Sequence, residues 1–244
     1  MLTITAIVRD GKLMNMSPST RNRTPVGSGM RKDALTCQNL GRLAERPMIT
    51  HALVCTAGPL WDEATRAPFL GALAAGSLPL DAFRRWLAQD YLFAEDLTAF
   101  QAILLAKSSR DCHKPLIGGL AALDKELDWF ESHAAHLQVG LDSPPHPICR
   151  RYTDFLLRCA YTQPYPVLLA MLFGVEASYL AAWSALAPTG PYAEFIERWS
   201  TPDFAAYVEV LGGLAERHPH AAAQEHFNQV LVHEWEFWKM AWEG

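Results

Sequence analysis

Apolar residues recur three and four positions apart along most of the chain beyond residue 50. This is the period of an amphipathic helix, and clusters of Gly, Pro and Ser separate the periodic segments. The pattern predicts helices over residues 51–64, 80–108, 114–137, 147–162, 165–187, 191–197, 202–217 and 219–242. No segment after residue 14 shows the alternation of a strand. We therefore expect an all-α protein, a single multi-helix bundle of about seven helices.

The first 47 residues differ from the rest in composition. They contain eight Lys and Arg against three Asp and Glu, and the stretch MSPSTRNRTPVGSGMRK is rich in Ser, Arg, Gly and Pro. A solvated tail has this composition. Residues 1–47 are therefore expected to be a disordered extension, a transit-like segment, or sequence upstream of a true start at Met30 or Met48. Residues 48–244 are expected to form one helical domain.

The net charge and the cysteine content indicate which partners and which cellular compartment to expect. The net charge of -5 gives no reason to expect nucleic acid as a partner. No secretory segment and no apolar run of about 18 residues stands out, so no membrane-spanning helix is expected. Five cysteines with no Cys-x-x-Cys pair favour reduced thiols in a cytoplasmic protein. Trp-rich amphipathic helices often leave an apolar face uncovered, which favours a homo-oligomer.

Three carboxylates lie within apolar helical stripes. Asp90, Glu176 and Glu234 each have apolar residues three and four positions before and after them. Burying an ionised carboxylate costs about several kcal/mol unless it is paired, so three on three long helices indicate a shared site. If they converge, their pKa values must separate, which provides one acid and one base. Glu126 borders a fourth stripe and is a further candidate for substrate binding.

A structural role for each acid is the alternative. Arg85 and Arg158 could pair with a buried carboxylate, and Tyr91, Tyr152 and Tyr179 could donate hydrogen bonds to one. Ion-pair networks also perturb pKa values. For any one acid the two interpretations are evenly balanced, whereas three acids in the same situation favour a site.

Aromatic side chains are candidates for the walls of a pocket between the helices. They are Phe93, Tyr152, Tyr179, Trp199 and Phe237. Aromatic stripes at helical spacing are usually core, but tyrosine hydroxyls need partners when they are buried. Stacking walls edged by carboxylates would suit a flat heteroaromatic substrate.

No metal and no cofactor are expected. Di-iron bundles use a Glu-x-x-His unit, which is absent at the buried acids. His133 and His136 have ligand-like spacing but are more simply surface histidines, and His218 and His220 lie at a loop. Nucleophilic catalysis has little support, because the chain has no GxSxG motif and Cys159 lies on an apolar face.

Five segments taken together carry a family resemblance. They are FLGALAAGSLPLDAFRRWLAQDYLF (69–93), YTDFLL (152–157), YPVLLAMLFGVEASY (165–179), FIERWSTPDF (195–204) and HEWEFWKMAW (233–242). In these segments and their order the chain resembles the TenA family, also called thiaminase II, over about residues 53–242. The resemblance implies the all-helical haem-oxygenase-like fold. It also implies an enzyme of thiamin salvage that releases hydroxymethylpyrimidine from an aminomethylpyrimidine or its N-formyl form.

The resemblance also implies roles for individual residues. Asp90 matches the aspartate that binds the aminopyrimidine, and Glu234 matches the glutamate proposed for proton transfer. Tyr152 and Tyr179 match the tyrosines beside the reacting carbon. The family's aromatic wall positions match Phe93, Trp199 and Phe237.

The chain departs from the better-known branch of that family at the catalytic cysteine. That position falls at Gly174 or Val175, with Glu176 alongside. A branch with plant and fungal members has a glutamate instead, and WLAQDYLF, GGLAALDKELDWF and YPVLLAM resemble that branch. Ala67 replaces a histidine often found before Pro-Phe. We therefore expect Glu176 and Glu234 to catalyse hydrolysis of the amino- or formylamino-pyrimidine rather than cleavage of intact thiamin.

Two other functions remain open for a chain of this pattern. The same fold could perform an oxidative ring closure like that of pyrroloquinoline quinone synthase, or act as a metal-dependent oxidase. It could also bind a small pyrimidine as a regulatory protein without turnover. Stoichiometric iron or manganese would indicate the first, and tight binding without product would indicate the second.

Overall fold

The computed structural model describes residues 51–244, so the extension expected over residues 1–47 lies outside the described residues. Within residues 51–244 the chain forms ten α-helices and a 3-10 turn at Gly190–Tyr192, with no strand, which confirms the all-α prediction. The helices are α1 Ala52–Ala57, α2 Pro59–Thr65, α3 Pro68–Ala74, α4 Leu80–Lys107, α5 Arg110–Leu137, α6 Pro147–Thr162, α7 Tyr165–Ser184, α8 Ala193–Arg198, α9 Pro202–Arg217 and α10 Ala223–Glu243.

Proline fixes the starts of two helices where the sequence predicted them. Both α6 and α9 begin with Pro, whose missing N–H costs no hydrogen bond in the first turn. His146 and Thr201 precede them, and each side chain accepts a backbone hydrogen bond from the first turn. Both helices end at the predicted residue, Thr162 and Arg217.

The predicted single helix over residues 51–64 is wrong. Gly58 adopts a φ of 55°, in the left-handed region, and Pro59 follows it, so the chain divides into α1 and α2. The pattern also missed α3, a short helix that again begins with a proline, Pro68. In place of a helix over 191–197, the 3-10 turn leads into α8.

Three longer helices differ from their predicted ends by three or four residues. α5 begins at Arg110 rather than 114, because Pro115 lies inside the helix and not at its start. α7 ends at Ser184 rather than 187. α10 begins at Ala223 rather than 219. Helix ends are where local sequence constrains the backbone least.

Helix α7 is the centre of the core. It packs against α2, α9 and α10, and most of its residues are buried. By length and composition it could cross a membrane, with a mean hydropathy of 1.5, so the expectation that no apolar run was long enough is wrong for this helix. However, 78% of that window is buried inside the protein. Its apolar surface is therefore covered by neighbouring helices, as in the core helix of a bundle.

Five long helices pack around the interior region where the predicted acids lie. α4 packs against α5, α6 and α10, and α10 packs against α7. Arg85 fastens the start of α4 to the end of α10, because its guanidinium donates to the backbone carbonyls of Met240 and Ala241 at 3.1 and 2.9 Å. These contacts hold α4, which carries Asp90, against α10, which carries Glu234.

Candidate active site

Four carboxyl groups from four helices meet in the interior of the bundle. They are Asp90 on α4, Glu126 on α5, Glu176 on α7 and Glu234 on α10. Asp90 and Glu234 are only 7% and 5% exposed. The charges of Glu126 and Glu234 raise the pKa of both Asp90 and Glu176, which places the four groups within one electrostatic neighbourhood. The structure thus brings together the acids that the sequence placed on separate stripes.

Asp90 is held by a tyrosine from the central helix. The hydroxyl of Tyr179 donates to Asp90 Oδ2 at 2.7 Å. Burial raises the pKa of Asp90 well above its usual range, and this hydrogen bond opposes the rise only in part. Asp90 therefore tends to hold a proton, and a protonated carboxyl group presents a donor and an acceptor side by side.

Glu234 has the same arrangement with a second tyrosine. The hydroxyl of Tyr152 donates to Glu234 Oε1 at 2.6 Å. Burial raises the pKa of Glu234 to about 7, and the Tyr152 hydrogen bond lowers it by favouring the charged form. A carboxyl group with this pKa exchanges its proton readily near neutral pH.

Glu176 has a pKa higher than that of Glu234. Burial raises its pKa to about 8, and repulsion from Glu126 and then Glu234 adds to the rise. Glu176 and Tyr179 keep part of their surface exposed, whereas most residues between and around them on α7 are buried. Glu176 is therefore largely protonated at neutral pH.

Glu126 is the acid with a cationic neighbour. Its Oε1 accepts a hydrogen bond from Trp199 Nε1 at 2.8 Å. Burial raises its pKa, whereas the positive charge of Arg198 and the Trp199 hydrogen bond lower it. The guanidinium of Arg198 also lies 4.3 Å from the ring centroid of Trp129, which keeps it near this edge of the site.

The arginines that the sequence offered as partners do not serve the acids. Arg85 binds the carbonyls at the end of α10, and Arg158 is exposed. Tyr91 is also wrong as a donor to these groups, because its hydroxyl donates to Glu131. Arg198, the last residue of α8, is the cation that acts on Glu126 instead, and only the fold brings the two together.

Aromatic rings lie next to the tyrosines that bind Asp90 and Glu234. The ring centroid of Phe93 lies 4.8 Å from that of Tyr152 and 5.9 Å from that of Phe237. On the other side, the rings of Tyr179 and Trp199 meet edge to face at 5.5 Å. Each pair of tyrosine and carboxyl group is therefore in contact with at least one further aromatic ring.

Sequence reasoning missed a polar pair next to Glu176. Tyr207 on α9 is buried, and its hydroxyl accepts a hydrogen bond from Gln101 Nε2 at 3.3 Å. Burial raises the pKa of Tyr207, and the charge of Glu176 adds to the rise. Gln101 lies on α4 on the same side as Asp90, so the helical period could have included it. Tyr207 lies on an ordinary apolar face and gives no such signal.

Other residues considered from the sequence lie outside this arrangement. His133 contacts Glu194 at 3.0 Å, and its ring lies 6.4 Å from that of His136, so the two do not converge on one point. The thiol of Cys149 donates to the Gln89 carbonyl at 3.5 Å, and burial raises its pKa to about 12. Two surface depressions of about 280 Å³ lie along α10 and contain none of the nine predicted site residues.

Known protein families and individual proteins resemble this chain in sequence. The sequence profile of the TENA/THI-4/PQQC family matches residues 56–244. A "Probable bifunctional TENA-E protein" of Glycine max is 28% identical over 201 residues, which cover 75% of this chain and 88% of that protein. The "Thiamine biosynthesis multifunctional protein ThiED" of Corynebacterium efficiens is 28% identical over 217 residues, which cover 82% of this chain and 29% of that larger protein.

Solved structures share the architecture. A TenA homologue from Pyrococcus furiosus is 29% identical, has a TM-score of 0.72, and aligns over 78% of this chain and 97% of its own length. A TenA homologue from P. horikoshii is 22% identical, has a TM-score of 0.71, and aligns over 78% of this chain and 96% of its own length. The chain therefore has the haem-oxygenase-like all-α fold that its sequence predicted.

Proposed function

This chain belongs to the TENA/THI-4/PQQC family, and we propose that it is a hydrolase of thiamin salvage. Its relatives in thiamin biosynthesis support a thiamin-related role. The substrate we propose is an aminomethylpyrimidine or its N-formyl derivative, and the product is hydroxymethylpyrimidine. One observation carries the proposal: the charge of Glu234 acts on both Asp90 and Glu176, and burial raises the pKa values of Glu176 and Glu234 to about 8 and about 7.

Asp90 is the recognition group in this proposal. An aminopyrimidine presents a ring nitrogen that accepts and an amino group that donates. The protonated carboxyl group of Asp90 offers the complementary donor and acceptor, and Tyr179 fixes its orientation. Phe93 and Trp199, which contact Tyr152 and Tyr179, would stack on the ring.

The two glutamates divide the proton transfer. Glu234, with the lower pKa, takes a proton from water as the water oxygen bonds to the exocyclic carbon. Glu176, protonated at neutral pH, donates its proton to the departing nitrogen as the C–N bond breaks. Glu234 ends the reaction with one proton more and Glu176 with one proton fewer. Exchange with solvent then restores both groups for the next cycle.

This mechanism needs no thiol nucleophile. The position of the family's catalytic cysteine is Gly174 or Val175 here. Among the described cysteines, Cys149 is the one whose pKa responds to the charge of Asp90, and burial raises that pKa to about 12. Its thiolate is therefore scarce at neutral pH, which favours direct attack by water.

A substrate panel tests the proposal. Purified protein is incubated with thiamin, aminomethylpyrimidine and formylaminomethylpyrimidine, and hydroxymethylpyrimidine is measured by chromatography. We expect turnover of at least one of the two pyrimidines and little or none of thiamin. Glu176→Gln and Glu234→Gln are each expected to lower kcat by about 10²- to 10⁴-fold, the range for a lost acid or base.

The matched control is Glu209→Gln, which changes an exposed glutamate on α9. Near wild-type rates in both Glu176→Gln and Glu234→Gln would contradict the mechanism. Tight binding of the pyrimidines without product would instead favour a binding protein.

A further inference from the structure

A second group of polar side chains lies at one end of the bundle. Asp111 and Cys112 lie in the first turn of α5, and His218 follows the last residue of α9. A carboxylate oxygen, the thiol sulfur and a ring nitrogen of these three residues all lie within 4.8 Å of one another. The closest pair is His218 Nε2 and Asp111 Oδ2 at 2.9 Å. The sequence separates these residues by more than 100 positions, so only the fold unites them.

The orientation of the histidine is fixed from its far side. The hydroxyl of Tyr165, at the start of α7, lies 3.1 Å from His218 Nδ1. A histidine that binds a metal through Nε2 commonly has Nδ1 held by such a partner, which sets the tautomer. In the structure Nε2 donates to the carboxylate of Asp111; for a metal to bind, that proton must leave Nε2, and Nδ1 then donates to the Tyr165 hydroxyl while the Nε2 lone pair binds the metal.

The set of donors suits one class of metal. Sulfur, imidazole nitrogen and carboxylate oxygen together are borderline-soft ligands, which zinc accepts in tetrahedral sites. We infer that Asp111, Cys112 and His218 bind a zinc ion, with water as the fourth ligand. On binding, a bond forms from zinc to the Cys112 sulfur, and the thiol proton passes to solvent. Arg217 Nε lies 4.0 Å from Asp111 Oδ2, but its side chain is 59% exposed and free to move aside.

This site is separate from the carboxylates of the candidate active site. Asp111 and Glu126 are 15 residues apart on the same helix, which is about 22 Å along its axis. The zinc would join the start of α5 to the end of α9, and through Tyr165 it would orient α7. The zinc ion would therefore stabilise the packing of these helices. This inference does not depend on the proposed hydrolysis.

Cobalt provides the test, because a cobalt–thiolate bond has a charge-transfer absorption that zinc lacks. Tag-free, metal-depleted full-length protein is titrated with Co²⁺, and Zn²⁺ is then added as a competitor. We expect the band to saturate at one equivalent and to vanish on addition of zinc. Cys112→Ser should abolish the band, and His218→Gln and Asp111→Asn should each weaken binding by about ten-fold or more.

The controls separate this site from other thiols. Cys159→Ser on α6 and Cys37→Ser near the N-terminus should both retain the band with unchanged affinity. Thermal unfolding is followed in parallel, and zinc should raise the Tm of wild type but not of Cys112→Ser. The inference is overturned if wild type shows no band at micromolar cobalt, or if Cys112→Ser keeps it. Neither result bears on the pyrimidine hydrolysis.

Discussion

At the scale of single residues, the Tyr152 hydroxyl sets the protonation of Glu234. Its hydrogen bond favours the charged carboxylate, so Tyr152→Phe should raise the pKa of Glu234 above about 7. A base must be deprotonated to act, so the rise of kcat with pH should move to higher pH in this variant. Steady-state rates measured from pH 5 to pH 10 would show the displacement.

The control for this experiment is Tyr192→Phe. Tyr192 is also buried, but its hydroxyl donates to the Leu78 carbonyl and not to an acid. Its pH profile should match that of wild type. An unshifted profile in Tyr152→Phe would mean that Glu234 is not the base.

Asp90 can be tested for the protonation state in which it binds. An asparagine also presents one donor and one acceptor, so Asp90→Asn should keep most of the affinity if Asp90 binds as the neutral acid. Asp90→Ala removes both groups and should lower kcat/KM by about 10- to 100-fold. Kinetics with the aminopyrimidine would compare the two variants. A loss as large in Asp90→Asn as in Asp90→Ala would show that the carboxylate must be charged.

At the scale of elements, α5 approaches α4 and α9 closely at Gly119. A Cβ at this position would overlap Tyr207 Oη and Gln101 Nε2, well inside van der Waals contact. Gly119→Ala should therefore destabilise the protein by about 1–3 kcal/mol, as overpacking of a core does. It should also displace the polar pair beside Glu176, and urea unfolding with activity measured in parallel would show both effects.

Gly71→Ala is the matched control in α3. Nothing lies within 4 Å of a Cβ added there, and replacing a helical glycine by alanine stabilises by about 0.5–1 kcal/mol. Equal effects of the two substitutions on the free energy of unfolding would show that Gly119 is not a point of close approach.

Elements with a strong local signal were predictable. Helices α6 and α9 begin with Pro after a capping side chain, and their predicted bounds agree with the structure. The division at Gly58 and the short helix α3 were missed, because a backbone φ of 55° and packing against α10 are not encoded in the helical period. The start of α5 was predicted four residues too late, and the helix continues through Pro115 although proline provides no backbone N–H for a hydrogen bond.

The candidate site was predictable only where burial conflicts with charge. Asp90, Glu176 and Glu234 interrupt apolar stripes, and that conflict is visible in a sequence. Tyr207 creates no such conflict and was missed. The true cation, Arg198, was missed because its approach to Glu126 depends on how α8 packs, which no local pattern records. The catalytic and binding roles of all nine residues stay predictions.

At the scale of the whole molecule, the buried acids make stability depend on pH. The pKa of Glu176 rises from 4.5 to about 8 on folding, so the folded state binds the proton more tightly than the unfolded state. The contribution of Glu176 to the free energy of unfolding is fully present below pH 4.5 and is lost as the pH rises toward 8. Glu234 acts in the same direction between 4.5 and about 7.

Glu176→Gln should therefore stabilise the protein in alkali. At pH 9 we expect the variant to exceed wild type by about 1–3 kcal/mol in free energy of unfolding, with a smaller difference at pH 5. Urea unfolding at both pH values measures this, with Glu209→Gln as the exposed control. If the difference between variant and wild type does not grow with pH, Glu176 is not buried as a neutral acid.

The sequence also favoured a homo-oligomer, which stays a prediction. Trp235 and Trp242 on α10 are each 36% exposed, and Val232 on the same helix is 41% exposed. Light scattering coupled to size-exclusion chromatography would measure the mass in solution. A mass equal to one chain of 27.2 kDa would contradict the prediction.

The burial of α7 also has a consequence for synthesis on the ribosome. Its main covering helices, α9 and α10, both follow it in the chain, and the last residue of α10 is Glu243, 59 positions after Ser184. At about 5–20 residues per second, roughly 3–12 seconds pass before the nascent chain can cover this segment. During that interval this apolar segment is not yet covered by α9 and α10, and exposed apolar surface of this kind is prone to aggregation. Because Glu234 lies on α10, the four carboxyl groups assemble only after α10 has been synthesised.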